Sequence, residues 1–316
     1  MMVQCSSAIG RAGRKVYMST RAVASICAAL ALLLPTAAAA GETGGDLAAV
    51  KSRGVLRHLG IPYANFVTGS GDGFDVELMR LFAARLGVRY EFVETAWPSV
   101  LPDLTGRRVS PALADLERAE PAPIRGDVVA TGLTMLKWRA SVISFSSVVF
   151  PTQVWVMARA ESPVQPIKPS QSLPQDIARV KALLDAHTLL GIANTCLDPT
   201  LYGLEKTKAR LAVRKVRLDE IAPLLIQGEA ELALLDVADA MIALQKWPGK
   251  IKVIGPISER QEMGVAFRKD APRLHEAFEA FLAEARRDGT YRRLVQKYFP
   301  EAPIYFPDFF ASGGRS

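Results

Sequence analysis

The chain has 316 residues, of which 49% are hydrophobic and 22% are charged, as in a globular protein with one large or two medium domains. Its formal net charge is +7, but the first forty residues hold four basic and no acidic residues, so the remainder carries only +3. This small excess argues against a nucleic-acid-binding protein, and we expect no nucleic-acid partner.

The first forty residues have the order of a secretory signal peptide. Basic residues precede the apolar run 22–34, and small residues at 37–40 follow. The run is shorter than the ~20 residues of a membrane-spanning helix. We therefore expect cleavage near residue 40 and a periplasmic protein, with an uncleaved membrane anchor as the alternative. Of three cysteines only Cys196 would remain, which excludes an intramolecular disulfide.

From residue 54 onward, strand and helix signals alternate. The first series predicts strands at 54–61, 88–94 and 127–133, a helix at 74–87 and a short helical piece at 97–104. The second series, after residue 146, predicts strands at 188–194, 212–216, 230–236, 250–257 and 263–269, and helices at 198–211, 218–228, 237–247, 272–287 and 289–299. Repeated strand–helix units predict an α/β protein whose parallel sheets carry helices on both faces.

Local motifs for a cofactor, a metal or a catalytic triad are absent from the sequence. The glycine-rich run 69–74 fits neither the dinucleotide nor the Walker spacing, so we interpret it as a turn before a helix that Asp75 caps. The three histidines are far apart and share no metal-ligand spacing with Cys196. We therefore expect no metal and no cofactor.

One arginine stands out in the segment GLTMLKWRASVISFS, residues 132–146. Arg139 lies between apolar flanks and has no acidic neighbour within this segment. Apolar flanks predict a buried backbone, and an unpaired buried guanidinium is costly. Arg139 therefore either faces water or pairs with an anion that arrives from outside.

The context of Arg139 resembles that of the family 3 extracellular solute-binding proteins, the polar amino-acid receptors of bacterial ABC importers. Similar motifs occur in the family's order over about 54–300. They are an opening strand with an aromatic loop at 54–66, a Gly-Phe-Asp helix with the next strand and a Trp-bearing turn at 73–104, the Arg139 segment at 126–146, a strand ending in Asp at 228–236, and a closing helix at 288–300.

The resemblance implies a type II periplasmic-binding-protein-like fold of class α/β, with two doubly wound parallel-sheet lobes joined by a hinge. The expected divisions are a signal peptide at 1–40, lobe I at 46–151 and 262–305, lobe II at 152–261, and a C-terminal tail at 306–316. The crossovers near 150–154 and 255–262 would form the hinge, and ligand binding would close the lobes.

The resemblance also implies roles for individual residues. Arg139 would bind a ligand carboxylate from lobe I, which suits the planar, two-pronged guanidinium, and Asp236 would bind the ligand amino group from lobe II. Supporting contacts would come from Gly132, Thr134, Tyr63, Trp97 and Thr195. Each has a structural alternative: Arg139 as a solvated helix residue, Asp236 and Thr134 as caps, Tyr63 and Trp97 as packing residues.

The sequence departs from the family pattern in three places. Leu136 stands where the family usually has Thr, and NTCLDP replaces a Gly-Thr-Thr turn, with Thr195 and Cys196 only roughly in register. An insertion at 110–126 enters the start of a strand. Ligands in doubly wound sheets bind beyond the carboxyl ends of strands, so we expect this insertion to lie away from the cleft, on a partner surface.

The function that the sequence predicts is the capture of a small carboxylate-bearing solute, an amino acid or a relative, for an inner-membrane ABC permease. A monomer without enzymatic activity is expected. One alternative is a periplasmic cyclohexadienyl dehydratase-like enzyme, whose general acid would be Glu94, Glu77 or Asp236. Another is an accessory or sensory protein whose insertion docks a partner.

Overall fold

The structure is a computed structural model that describes residues 46–313, so the predicted signal peptide at 1–40 lies outside the described residues. Two five-stranded sheets and a two-stranded ribbon organise this part of the chain. No helix within it combines the length and the apolar character needed to cross a bilayer.

The first sheet forms lobe I. Its strands are β1 (Val55–Gly60), β2 (Arg89–Glu94), β3 (Val128–Val129), β4 (Ser144–Phe145) and β12 (Ala266–Phe267), in the order β2-β1-β3-β12-β4. The helices of this lobe are α1 (Leu47–Arg53), α2 (Phe74–Leu86), α3 (Val100–Thr105), α4 (Lys137–Val142), α8 (Pro272–Arg287) and α9 (Thr290–Tyr298). β1 pairs parallel with both β2 and β3, whereas β12 is antiparallel to its neighbours.

The second sheet forms lobe II. Its strands are β6 (Val154–Arg159), β7 (Thr188–Ile192), β8 (Arg210–Arg214), β9 (Leu232–Asp236) and β10 (Ile251–Pro256), in the order β10-β6-β9-β7-β8. Its α-helices are α5 (Leu173–Ala182), α6 (Ile221–Gln227) and α7 (Val237–Lys246). The parallel pairs are β7 with β8 and β9, whereas β6 is antiparallel to β9 and β10. Both sheets are therefore mixed, because the strands next to the crossovers run against the others.

The two crossovers between the lobes pair with each other. β5 (Phe150–Thr152) and β11 (Gln261–Met263) form an antiparallel ribbon, with Met263 opposite Phe150. The ring of Phe150 packs on Phe66 and Phe299, with ring centroids 5.2 and 4.7 Å apart. The short helices α10 (Ala302–Tyr305) and α11 (Pro307–Ala311) come after α9 in the chain, and Phe310 of α11 also contacts Phe150. An aromatic cluster thus supports the ribbon.

The prediction of a helix at 198–211 is wrong. Two 3-10 turns, Pro199–Tyr202 and Leu204–Lys206, occupy its first part, and β8 begins at Arg210. Gly203 separates the turns in a left-handed conformation with φ of 66°, which an α-helix cannot contain.

Candidate functional site

Arg139 lies in α4 and its side chain is buried, at 3% exposure. Its Nη1–H donates to the Thr134 carbonyl at 2.9 Å. The guanidinium lies 5.7 Å from the ring centre of Trp97 and 5.6 Å from that of Trp138. Among residues 46–313, no acidic side chain forms an ion pair with it. Arg139 is therefore not a solvated surface residue, and its charge is balanced only by a carbonyl and two aromatic faces.

Burial lowers the pKa of Arg139 to about 10, so the side chain stays protonated at neutral pH. A buried, charged guanidinium with unused N–H groups is an anion-binding group. The fork of donors in an arginine matches the two oxygens of a carboxylate.

Asp236 ends β9 and is fully buried. Its Oδ1 accepts hydrogen bonds from the Ala238 N–H at 3.0 Å, which caps α7, and from the Thr152 hydroxyl at 2.7 Å. Its Oδ2 is enclosed, and the Tyr63 hydroxyl interacts with the carboxylate. Burial raises the pKa of Asp236 to about 6. The carboxylate is thus a helix cap through one oxygen and is available to another partner through the second.

Tyr63 reaches from the loop after β1 toward Asp236. Its ring stacks on Phe66 and meets Trp97 edge-on, with centroids 5.7 and 5.9 Å apart. The hydroxyl is buried and interacts with the Asp236 carboxylate. Burial and the negative charge of Asp236 both raise the pKa of Tyr63. A neutral hydroxyl from lobe I therefore lies near the carboxylate of lobe II.

Gly132 supports the site through its backbone. Its φ is 59°, and a Cβ there would come within 2.5 Å of Phe66 and 2.8 Å of Tyr63, so only glycine fits. The Gly132 N–H donates to Asp75 Oδ2 at 2.7 Å and is thereby already engaged. The N-cap of α2 is Gly73, so the expectation that Asp75 caps this helix is wrong: its carboxylate instead positions the loop before Arg139.

Thr134 of lobe I and Thr195 of lobe II both lie near Cys196. Thr134 is buried and its hydroxyl lies against the Cys196 thiol. The Thr195 hydroxyl donates to the Ile192 carbonyl at 2.9 Å and accepts from the Leu197 N–H at 3.0 Å, so it closes its own turn. Burial raises the pKa of the Cys196 thiol to about 12, which keeps it neutral between Arg139 and Asp236.

Two cavities flank this centre. The larger, about 530 Å³, lies beside Arg139 and is lined mainly by apolar groups, among them Trp97, Val100, Leu101, Trp138, Ile192 and Val216. Its charged residues are Arg139, Arg214 and Lys215. The smaller, about 380 Å³, lies beside Tyr63 and contains the acids Glu94, Asp219 and Asp239 with Arg217 and Lys246. The cleft thus has a cationic side and an acidic side.

The expectation that the insertion at 110–126 lies away from the cleft is wrong for its first residues, because Ser110 and Pro111 line the larger cavity. The Ala122 N–H donates to the Gly106 carbonyl at 2.8 Å, just after α3. With its ends tied there, the loop folds back along α3 toward the cleft.

Several site residues were not identified from the sequence. They are Trp138, Thr152, Asp239 and Tyr202, whose hydroxyl donates to the Cys196 carbonyl. Of the acids considered for a dehydratase, Glu77 lies outside the cleft with Lys297 and Tyr298. The roles of the four residues that were not identified depend on contacts between distant chain segments. Only the adjacency of Trp138 to Arg139 could have provided a signal in the sequence.

The model of the bacterial extracellular solute-binding proteins, family 3, matches residues 60–121 and 122–301. The chain belongs to this family. It is 24% identical over 234 residues to the lysine/arginine/ornithine-binding periplasmic protein of Escherichia coli (strain K12), covering 72% of this chain and 78% of that protein. It is 26% identical over 293 residues to the L-cystine-binding protein TcyJ of the same strain, covering 91% and 96%.

Solved structures show that the fold is shared with other proteins. A variant of ArgBP from T. maritima matches with a TM-score of 0.63 and 23% identity over 80% of this chain and 99% of that chain. The ancestral amino acid-binding protein AncCDT-1, described as a precursor of cyclohexadienyl dehydratase, matches with a TM-score of 0.62 and 21% identity over 80% and 98%. The predicted fold class is confirmed.

Proposed function

We propose that this family 3 protein captures a small solute carrying a carboxylate and an amino group in the periplasm and delivers it to an inner-membrane ABC permease. The observation that carries the proposal is the pairing of two incomplete charges across the cleft. Arg139 of lobe I has no acidic partner within residues 46–313, and the buried Asp236 carboxylate of lobe II has no cationic partner there. Relatives named for lysine, arginine, ornithine and cystine support an amino-acid ligand.

In this proposal the ligand carboxylate takes the free donors of Arg139, and the ligand ammonium donates to Asp236. Each such charge-assisted hydrogen bond contributes about 1.5–3 kcal/mol. Trp97 and Tyr63 enclose the ligand, and Thr134 contacts it from lobe I. Gly132 shapes the loop, and Thr195 closes the opposite turn. Because the two charges belong to different lobes, the ligand holds the lobes together across the ribbon of β5 and β11.

The proposed divisions of the chain follow the sheets. Lobe I comprises 46–151 and 262–305, and lobe II comprises 152–261. The segment 306–316 begins at the ribbon, where Asp308 pairs with Arg260 at 3.4 Å. A cleaved signal peptide at 1–40 and a monomeric mature protein belong to the same proposal.

A thermal-shift screen of amino acids and small organic acids, followed by calorimetry, tests the function. A ligand at a hundred times its Kd adds about 2.7 kcal/mol to the free energy of unfolding. We expect Arg139→Ala to abolish binding. The matched control is Arg85→Ala, which removes an exposed arginine paired with Glu284. Unchanged affinity in Arg139→Ala would contradict the proposal. Prephenate is included, because its conversion to an aromatic product would indicate the dehydratase alternative.

A further inference from the structure

Asp239 is a second buried carboxylate in the cleft wall. It lies in the first turn of α7, three residues after Asp236, and its exposure is 8%. Its Oδ2 is enclosed, and its side chain makes no hydrogen bond or ion pair with any residue of the described range 46–313. Burial, with the nearby charges of Asp236 and Asp219, raises its pKa well above the ordinary value. Apart from its favourable position in the first turn of α7, no described contact gives this carboxylate a structural role.

Three enclosed polar atoms lie close together beside Asp239. They are its own Oδ2, Oδ2 of Asp236 and the hydroxyl of Tyr63, and the last comes from the opposite lobe. The cavity of about 380 Å³ opens next to Tyr63 and Asp239. An ammonium or guanidinium group placed there would donate hydrogen bonds to Asp239, which has no donor among residues 46–313, and to the neighbouring Asp236 carboxylate. The same group would supply the positive charge that two buried carboxylates require.

Charge balance decides between the two cavities. Arg139 is one buried cation, whereas Asp236 and Asp239 are two buried acids. The larger cavity contains only cationic charged residues, Arg139, Arg214 and Lys215, so it repels a second positive group. The cationic end of a ligand is therefore favoured on the Asp239 side of the cleft.

We propose that Asp239 is a second ligand-binding carboxylate, and that the preferred solute carries one carboxylate and two cationic groups, as basic amino acids do. This inference rests on the proposed function, because it assumes that Arg139 binds the carboxylate and Asp236 binds the α-ammonium. Asp239 would then bind the distal cationic group.

Other charged groups around Asp239 supply a control. Asp219, in the 3-10 turn Leu218–Glu220, faces it from the segment before α6 but is exposed and already paired with Arg217. Glu94 and Lys246 line the same cavity. Because Asp219 has its own partner, Asp219→Asn alters the local charge without removing the proposed ligand contact.

The test is calorimetry of the mature protein with L-lysine and with L-norleucine, which has a similar chain but no distal ammonium. We expect the wild type to bind lysine at least about tenfold more tightly, since one charge-assisted hydrogen bond is lost with norleucine. Asp239→Asn should weaken lysine binding by about tenfold and leave norleucine within about threefold of wild type. Asp219→Asn should keep the lysine preference.

Two results would overturn the inference. One is a wild type that binds norleucine as tightly as lysine, and the other is an Asp239→Asn variant that loses both ligands equally. If another amino acid from the screen binds through Arg139 while lysine does not, the proposed function survives and the inference fails. If no carboxylate-bearing solute binds, both fail. Unfolding of the variant measured beside wild type shows whether it folds.

Discussion

The buried carboxylates of lobe I and of the cleft differ in the partners that surround them. Asp127, before β3 in lobe I, is fully buried and accepts hydrogen bonds from Arg53 at 2.6 Å and from the Arg57 side chain and backbone N–H at 2.9 Å each. Asp236 and Asp239 in the cleft are also buried, but neither forms an ion pair within residues 46–313. Burial of charge alone therefore does not distinguish the two, whereas the missing ionic partners of the cleft carboxylates do.

The arginines show the same contrast. Arg57 is paired with Asp127, whereas Arg139 is held between two tryptophan rings without an acid among residues 46–313. Aromatic faces stabilise a cation by only about 0.5–2 kcal/mol, which is less than an ion pair in a buried setting. The cleft is thus kept charged at the expense of stability, as expected where a ligand completes the pairs.

The largest expected difference between Asp127 and the cleft carboxylates is in their contribution to the free energy of unfolding. Asp127→Ala leaves Arg53 and Arg57 without their shared partner, and we expect a loss of about 3 kcal/mol in the free energy of unfolding. Asp239→Asn replaces a carboxyl group that has no partner among residues 46–313, so the ligand-free protein should lose less than about 1 kcal/mol or gain stability. Urea denaturation of both variants checks this. Equal losses would show that the two carboxylates are structurally equivalent.

Replacement of Arg139 by lysine tests how much the geometry of the unpaired guanidinium contributes to ligand binding. Lysine keeps the positive charge but loses the two-pronged geometry and the stacking of the guanidinium on Trp97 and Trp138. We expect about thirtyfold weaker binding, or about 2 kcal/mol. Arg85→Lys, on the outer face, should leave affinity unchanged. If Arg139→Lys binds as tightly as wild type, charge alone accounts for recognition and the geometric argument is wrong.

The pH dependence should separate binding from stability. The pKa of Asp236 is about 6 in the ligand-free protein, so below pH 6 its protonation should weaken binding of an ammonium by up to about tenfold per pH unit. The free energy of unfolding should instead increase as Asp236 becomes protonated. Because the folded pKa lies above the ordinary value of 3.8, the folded state binds this proton more tightly, and protonation of Asp236 favours folding as pH falls from about 6 toward 4.

Calorimetry between pH 5 and 7.5 and urea denaturation of wild type against Asp236→Asn measure these two trends. Asp75, whose pKa burial raises to about 7, contributes to stability in the same direction in both proteins and therefore cancels in the comparison. An affinity that does not change across this range would argue against an ionised Asp236 as the amino-group ligand.

Local sequence signals predicted the scaffold well. The helix expected at 272–287 is α8, Pro272–Arg287, because its apolar stripe and Pro272 are strong local signals. Arg139 could be singled out because apolar neighbours surround it in sequence. Asp239 could not, since an acid in the first turn of a helix is ordinary there, and only the packing of Tyr63 from the other lobe encloses it. The position of the insertion at 110–126 was predicted wrongly for a similar reason. Its path depends on the contacts made near its ends and not on its composition.

Trp138 tests how much the aromatic faces contribute to the cationic side. Its ring centre lies 5.6 Å from the Arg139 guanidinium and its side chain lines the larger cavity. Trp138→Leu keeps an apolar wall but removes the ring, so we expect binding weaker by about 1 kcal/mol, or about fivefold. If Trp138→Phe binds the ligand more tightly than Trp138→Leu, the effect is due to the aromatic ring face. Identical affinities for wild type, Phe and Leu would mean that Trp97 and the Thr134 carbonyl suffice to hold the guanidinium, and that the second ring serves only as cavity wall.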